Sequence, residues 1–192
     1  MTLKDKRIGF AVTGSFCTFD AALECANDIL KEGAALTGII SQAVDTSDTR
    51  FMTAEHFKKS LSALTGKPLI RSIVEAEPIG PQKLFDMLLV LPATGNTLAK
   101  MAAGITDTTV TMAIKSHLRN NRPVVLAIST NDALGNNAKN IGLLLNMKNV
   151  YFVPFGQDDA INKPKSMVFI KEQVVAALEE ALDGNQLQPL LA

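Results

Sequence analysis

Short apolar runs alternate with segments of helical period along this sequence, and that alternation constrains the fold more than any other feature. Arg7–Thr13, Ala35–Ile40, Met87–Leu91, Val124–Ile128 and Val150–Val153 contain few polar residues, as expected of strands covered on both faces. Met87–Leu91 is the most apolar of them and should be central; it ends at Pro92. Thr18–Glu32 carries Phe19, Ala22, Leu23, Ala26, Ile29 and Leu30 on one stripe and stops at Gly33, the pattern of an amphipathic helix closed by glycine. Thr53–Leu64, Thr97–Ala103, Thr108–Asn120, Ala133–Met147 and Lys171–Leu182 read as further helices. Leu69–Val74 reads as a short extra strand and Asp183–Gln186 as a frayed tail. Such alternation predicts an α/β fold, a doubly wound and mainly parallel sheet with helices on both faces. The 192 residues suit a single domain, residues 1–192.

Composition narrows the function classes. Nineteen basic residues balance nineteen acidic ones, so there is no electrostatic footprint for nucleic acid or an anionic membrane surface. The absence of Trp and a lone Tyr leave little to stack bases on. No apolar run is long enough to cross a bilayer, and Met1–Arg7 leads into the first strand without a signal-peptide core; a cytoplasmic location is expected. Cys17 and Cys25 are too few for a disulfide framework and lack metal-ligand spacing, so no metal site is expected.

In a parallel sheet, ligands bind outside the carboxyl ends of the strands. Those ends carry small or polar residues together: Gly14-Ser15, Ser41, Pro92 to Thr97, Ser129-Thr130-Asn131, and Phe155-Gly156-Gln157. Each alone has a local reading as a helix cap or turn. Their coincidence on one edge points to a site. Gly14 lets a ligand approach the backbone, the following helix aims its amino end there, and Ser15, Thr18 and Ser41 add hydroxyls, which together make an uncharged anion site. Neither a Walker lysine nor a Gly-x-Gly-x-x-Gly turn is present, so a mononucleotide fits better than a dinucleotide. In Pro92-Ala93-Thr94-Gly95-Asn96-Thr97, small side chains leave flat space, and the Asn96 amide can match the donors and acceptors of a planar heterocycle. Candidate cofactor-binding residues are therefore Gly14, Ser15, Thr18, Ser41, Pro92, Ala93, Thr94, Asn96, Thr97, Ser129 and Thr130, with Asn96 and Asn131 as candidates to face the reacting groups.

These motifs resemble those of the homo-oligomeric flavin-containing Cys decarboxylase superfamily. Its Pro-Ala-Ser-Ala-Asn-Thr motif is matched by Pro92–Thr97, its Gly-Ser turn by Gly14-Ser15, and the resemblance continues through Ala99–Asp107. A second motif, Pro-Ala-Met-Asn, is matched only at its end, by Asn131. Within the superfamily the chain is similar throughout to the dipicolinate synthase B-subunit family, including Phe155–Asp159 and Lys163–Ser166. The resemblance implies a Rossmann-like three-layer flavoprotein fold, flavin mononucleotide (FMN) as cofactor, and a trimer or higher homo-oligomer. It also implies a sporulation role with the A subunit of dipicolinate synthase, which brings the NAD(P) domain. Together the two would oxidise dihydrodipicolinate to dipicolinate.

The departures carry information. The decarboxylases of the superfamily place a catalytic His in a His-Ile pair ahead of the central strand, where this chain has Pro78 in Glu77-Pro78-Ile79. Proline cannot transfer a proton, which argues against cysteine decarboxylation and for a role in redox chemistry or binding. An FMN-dependent decarboxylase of the same fold, or a non-catalytic scaffold for the A subunit, are the alternatives. Gly95 in place of Ala reads as a minor change. His56 and His117 read as surface or structural residues, because neither has an evident orienting partner. Cys17 reads as a loop thiol or one activated at a helix amino end. Lys163, Lys165 and Arg50 read either as solvated loop residues or as partners for a diacid's carboxylates.

Overall fold

A computed structural model describes residues 1–192 and is organised around a seven-stranded sheet. In chain order the strands are β1 (Arg7–Val12), β2 (Ala35–Ile40), β3 (Met87–Ala93), β4 (Val124–Thr130), β5 (Val150–Phe152), β6 (Phe155–Gly156) and β7 (Met167–Phe169). The helices are α1 (Phe19–Lys31), α2 (Gln42–Thr46), α3 (Ala54–Thr65), α4 (Ile73–Ala76), α5 (Gly95–Ala102), α6 (Thr109–Leu118), α7 (Ala138–Leu145) and α8 (Val174–Leu182). β2, β1, β3, β4 and β5 lie side by side and parallel, with Phe10 opposite Leu89, Leu89 opposite Val125 and Val125 opposite Tyr151. The chain leaves β1 toward β2 and then returns past it to β3. Strand order therefore reverses between β1 and β3, and a crevice opens at such a switch point.

Alternate strand residues face opposite layers, which is why these strands read as unbroken apolar runs. Ile8, Phe10, Val12, Met87, Leu89, Leu91, Val125 and Ala127 pack in one core with Phe19, Ala22, Ala26 and Ile29 of α1 and with α8. Ala11, Leu88, Val90, Val124, Leu126 and Ile128 pack in the other with Ile79, Leu98, Val110, Ile114 and Leu144. No helix is long and apolar enough to cross a membrane.

Several elements differ from the sequence expectation. Leu69–Val74 contributes only one bridge, Ile70 to Ile39. Ser72 then caps α4 in a reciprocal capping box with Glu75, a local signal stronger than the β-branching of Ile73 and Val74. α7 starts at Ala138 rather than Ala133, because Asp132 accepts backbone bonds from Gly135 and Asn137 in an intervening turn. β6 and β7 form an antiparallel hairpin, and β7 pairs with Ser129 and Thr130 at the end of β4; strands of two and three residues are too short to show a period. The tail is not frayed. The Gln186 amide brackets Phe152, accepting from its N–H and donating to its carbonyl, both at 2.8 Å.

Candidate functional site

One hydroxyl closes the switch point. Thr13, 2% exposed at the end of β1, donates to the Pro92 carbonyl at 2.7 Å and accepts from the Thr94 N–H at 3.1 Å. This clasp fixes Gly14 and Thr94 side by side. A cleft of about 410 Å³ opens on one side of them, lined by Ser41, Asn96, Thr97, Lys100 and Thr108 among others. A cleft of about 240 Å³ opens on the other, lined by Ser15, Thr18, Ser129, Thr130, Asn131, Lys163 and Ser166 among others. Gly14 and Thr94 belong to both.

In the larger cleft the capping and ligand-binding readings coincide. Ser41 caps α2, accepting from Val44 N–H at 3.5 Å, and Thr94 caps α5, accepting from Thr97 N–H at 3.4 Å. Asn96 is exposed in the first turn of α5. Lys100 is paired with Asp107 at 2.7 Å, and its ammonium holds the Asp107 carboxyl below the usual range. A Cβ added to Gly14 would meet only Ala43 Cβ at 3.4 Å and the Phe16 ring at 3.5 Å. The protein's own packing thus does not require glycine there, and its absence of a side chain leaves room for a ligand against the backbone. Hydroxyls, the amino end of an eight-residue helix, a lysine and an exposed amide form a donor set that fits a phosphorylated, planar flavin mononucleotide.

The smaller cleft is more polar and more tightly cross-linked. Ser15 Oγ and Ser129 Oγ lie 2.8 Å apart, and Thr18 Oγ1 donates to the Ser15 carbonyl at 2.7 Å. Asn131 Oδ1 accepts from Ser166 Oγ at 3.3 Å, and Lys163 Nζ pairs with Asp158 at 3.2 Å. The neighbouring Ser166 hydroxyl, followed by Lys163, keeps the Asp158 carboxyl below its ordinary range against the opposing effect of burial. Cys17 is exposed in this cleft.

The structure brings Gly14, Ser15, Thr18, Ser41, Thr94, Asn96, Thr97, Ser129, Thr130 and Asn131 to this pair of clefts. Pro92 and Ala93 do not line them. Both are buried within β3, and Pro92 acts through the carbonyl that receives Thr13. Gly95 is not a minor change. A Cβ there would lie 2.4 Å from Asn137 Nδ2, 2.6 Å from Asp132 Oδ1 and 2.7 Å from Thr130 Oγ1. These three side chains form a network, with Thr130 donating to Asp132 Oδ1 at 2.6 Å and Asn137 donating to Asp132 Oδ2 at 2.8 Å. Pro78, matched to the His of the His-Ile pair, lies away from the rim. Its carbonyl accepts from Gln82 in the turn before β3, near the amino end of the sheet. The part of this segment near the rim is Arg71, whose carbonyl accepts from Thr109. Pro78 therefore carries no argument about chemistry at the carboxyl edge.

Thr13, Lys100, Thr108, Asp158 and Ser166 are rim residues that sequence reasoning missed. Thr13 closes an apolar run and reads as part of the strand, and the others lie on helices or loops rather than directly after a strand. Lys165 runs along Gly135 and Arg50 stacks on Phe51 at 4.8 Å; neither lines the clefts. His56 is exposed. His117 is 1% exposed, hydrogen-bonded through Nε2 to the Pro123 carbonyl. Burial brings its pKa down to about 4 and pushes the Cys25 thiol up to about 12.

The chain matches the flavoprotein family model over residues 1–183. It is 46% identical to the B subunit of dipicolinate synthase from Bacillus subtilis (strain 168), over 99% of this chain and 95% of that protein. The crystal structure of the dipicolinate synthase B subunit from Bacillus halodurans superposes with a TM-score of 0.91 at 41% identity, covering 100% of this chain and 98% of the other. An FMN-dependent cysteine decarboxylase, SpaF, shares the fold with a TM-score of 0.67 at 18% identity, over 93% and 98% of the two chains. The family match over residues 1–183 and the 46% identity over nearly the whole chain agree: the chain belongs to the flavoprotein family, within its dipicolinate synthase B-subunit branch.

Proposed function

We propose that this chain is the FMN-binding component of a dipicolinate synthase and works with an A subunit carrying NAD(P), oxidising dihydrodipicolinate to dipicolinate during sporulation. The observation that supports it is the pair of clefts sharing Gly14 and Thr94, in a chain 46% identical to the B subunit of a dipicolinate synthase. Such a pair suits a cofactor and a substrate held side by side. The protein acts in the cytoplasm as a homo-oligomer of three or more chains.

Ser41, Thr97 and Lys100 bind the phosphate in the larger cleft, and Gly14 admits the ligand close to the backbone. Asn96 pairs with the polar edge of the ring. Ser15, Thr18, Thr94, Ser129 and Thr130 line the meeting ground, and Asn131 faces the substrate. FMN, when bound, supplies a two-electron acceptor. Loss of a hydride and a proton from dihydrodipicolinate leaves an aromatic ring, so the protein's task is to align the ring and keep water away from it.

Reconstitution tests this reading. The A subunit with this chain and FMN is expected to form dipicolinate at least tenfold faster than it does without them. Asn96→Ala is expected to remove that gain while assembly is kept. Full-rate synthesis by the A subunit in isolation would reject it.

A further inference from the structure

The smaller cleft has a charge pattern that the flavin reading does not use. Lys163 is the one cation lining it, and Asp158 the one anion. Both lie on the loop between β6 and β7, and they are paired at 3.2 Å with side chains 56% and 29% exposed. An ion pair this open to water contributes little stability, so another carboxylate can replace Asp158 at Lys163 at little cost. Ser166 Oγ stands 3.3 Å from Asn131 Oδ1 and also beside the Asp158 carboxylate, and the Asn131 amide nitrogen is a donor whichever of the two takes the hydroxyl proton. Met167 and Val168 give the cleft an apolar border. A lysine, an oriented amide, several hydroxyls and an apolar strip suit a small flat ring bearing more than one carboxylate.

We propose that Lys163 is the specificity-determining residue of this cleft: it takes one carboxylate of a ring dicarboxylate in exchange for Asp158, while Asn131 donates to the other. The inference rests on the substrate assignment proposed above and adds to it the residue that reads the substrate's charge. Asp158 then acts as a stand-in that keeps Lys163 paired in the empty cleft and is displaced on binding.

Calorimetric titration of the purified chain, saturated with FMN, using pyridine-2,6-dicarboxylate as the probe, tests this. Lys163→Met is expected to weaken binding about tenfold or more, and Lys163→Arg to keep most of it, because charge is retained. Asp158→Asn is expected to tighten binding several-fold by removing the competing carboxylate. Lys165→Met, outside the cleft, is expected to bind as the parent does, and FMN affinity is expected to be the same in all four variants. Undiminished dicarboxylate binding by Lys163→Met, or no gain from Asp158→Asn, overturns the exchange at Lys163 but leaves the substrate assignment standing. Failure of the parent chain to bind the dicarboxylate at all overturns both.

Discussion

The hydroxyls of Ser15 and Ser129 meet at 2.8 Å although 114 positions separate them in the chain. Ser15 follows β1 and Ser129 lies near the end of β4, so this bond ties the loop after β1 to a strand two places away in the sheet. Each serine also supplies wall to the smaller cleft. Replacing either by Ala is expected to cost about 1 kcal/mol, the usual worth of one hydrogen bond. The double variant is expected to cost less than the sum, since the second change breaks nothing further. Urea unfolding of the two single variants and the double measures it; strict additivity would mean that the two hydroxyls do not interact.

Gly95 stands where the Pro-Ala-Ser-Ala-Asn-Thr motif that Pro92–Thr97 resembles has Ala. With Asp132, Asn137 and Thr130 all within 2.7 Å of an added Cβ, Gly95→Ala should be destabilising by about 1–3 kcal/mol through overpacking. Combining it with Asp132→Ala should recover part of that loss, because Asn137 is then free to move away. Thermal melts of the four proteins in this cycle decide it. A Gly95→Ala variant as stable as the parent would contradict the crowding.

His117 gives the fold a defined response to acid. Burial lowers its pKa from the usual 6.5 to about 4, so the unfolded chain binds a proton more readily than the folded one between those values. Stability from this residue is fully present above about pH 6.5 and is lost progressively as pH falls toward 4. The shift corresponds to about 3 kcal/mol over that window. Denaturant titrations at pH 7, 6, 5 and 4 should show the decline, and His117→Gln, which can still donate to Pro123 without titrating, should flatten it. An equal slope in both proteins would assign the acid response elsewhere.

Strand–helix alternation makes most of the fold legible, because doubly covered strands and amphipathic helices leave long-range patterns. The apolar run Ala35–Ile40 coincides with β2 residue for residue. The rim is legible for the same reason: Gly14, Ser41, Thr94 and Ser129 lie at or directly after the ends of β-runs. β6 and β7 span two and three residues, too few to show a repeating pattern, and the sequence does not mark the hairpin that pairs them. The place of Pro78 is not legible from its match to a His-Ile pair, because the segment turns before β3. The weight of Gly95 is hidden because its neighbours Asp132 and Asn137 are remote in sequence, and only the packed structure shows that they occupy the space of a methyl group.

FMN binding to the larger cleft is the claim on which the functional account most depends, and equilibrium titration of the flavin-free protein measures it directly through the visible absorbance and fluorescence of the flavin. Saturable binding of one FMN per chain is expected, weakened about tenfold or more by Asn96→Ala and by Ser41→Ala, each of which alters that cleft. No binding, or binding that neither substitution affects, would contradict it.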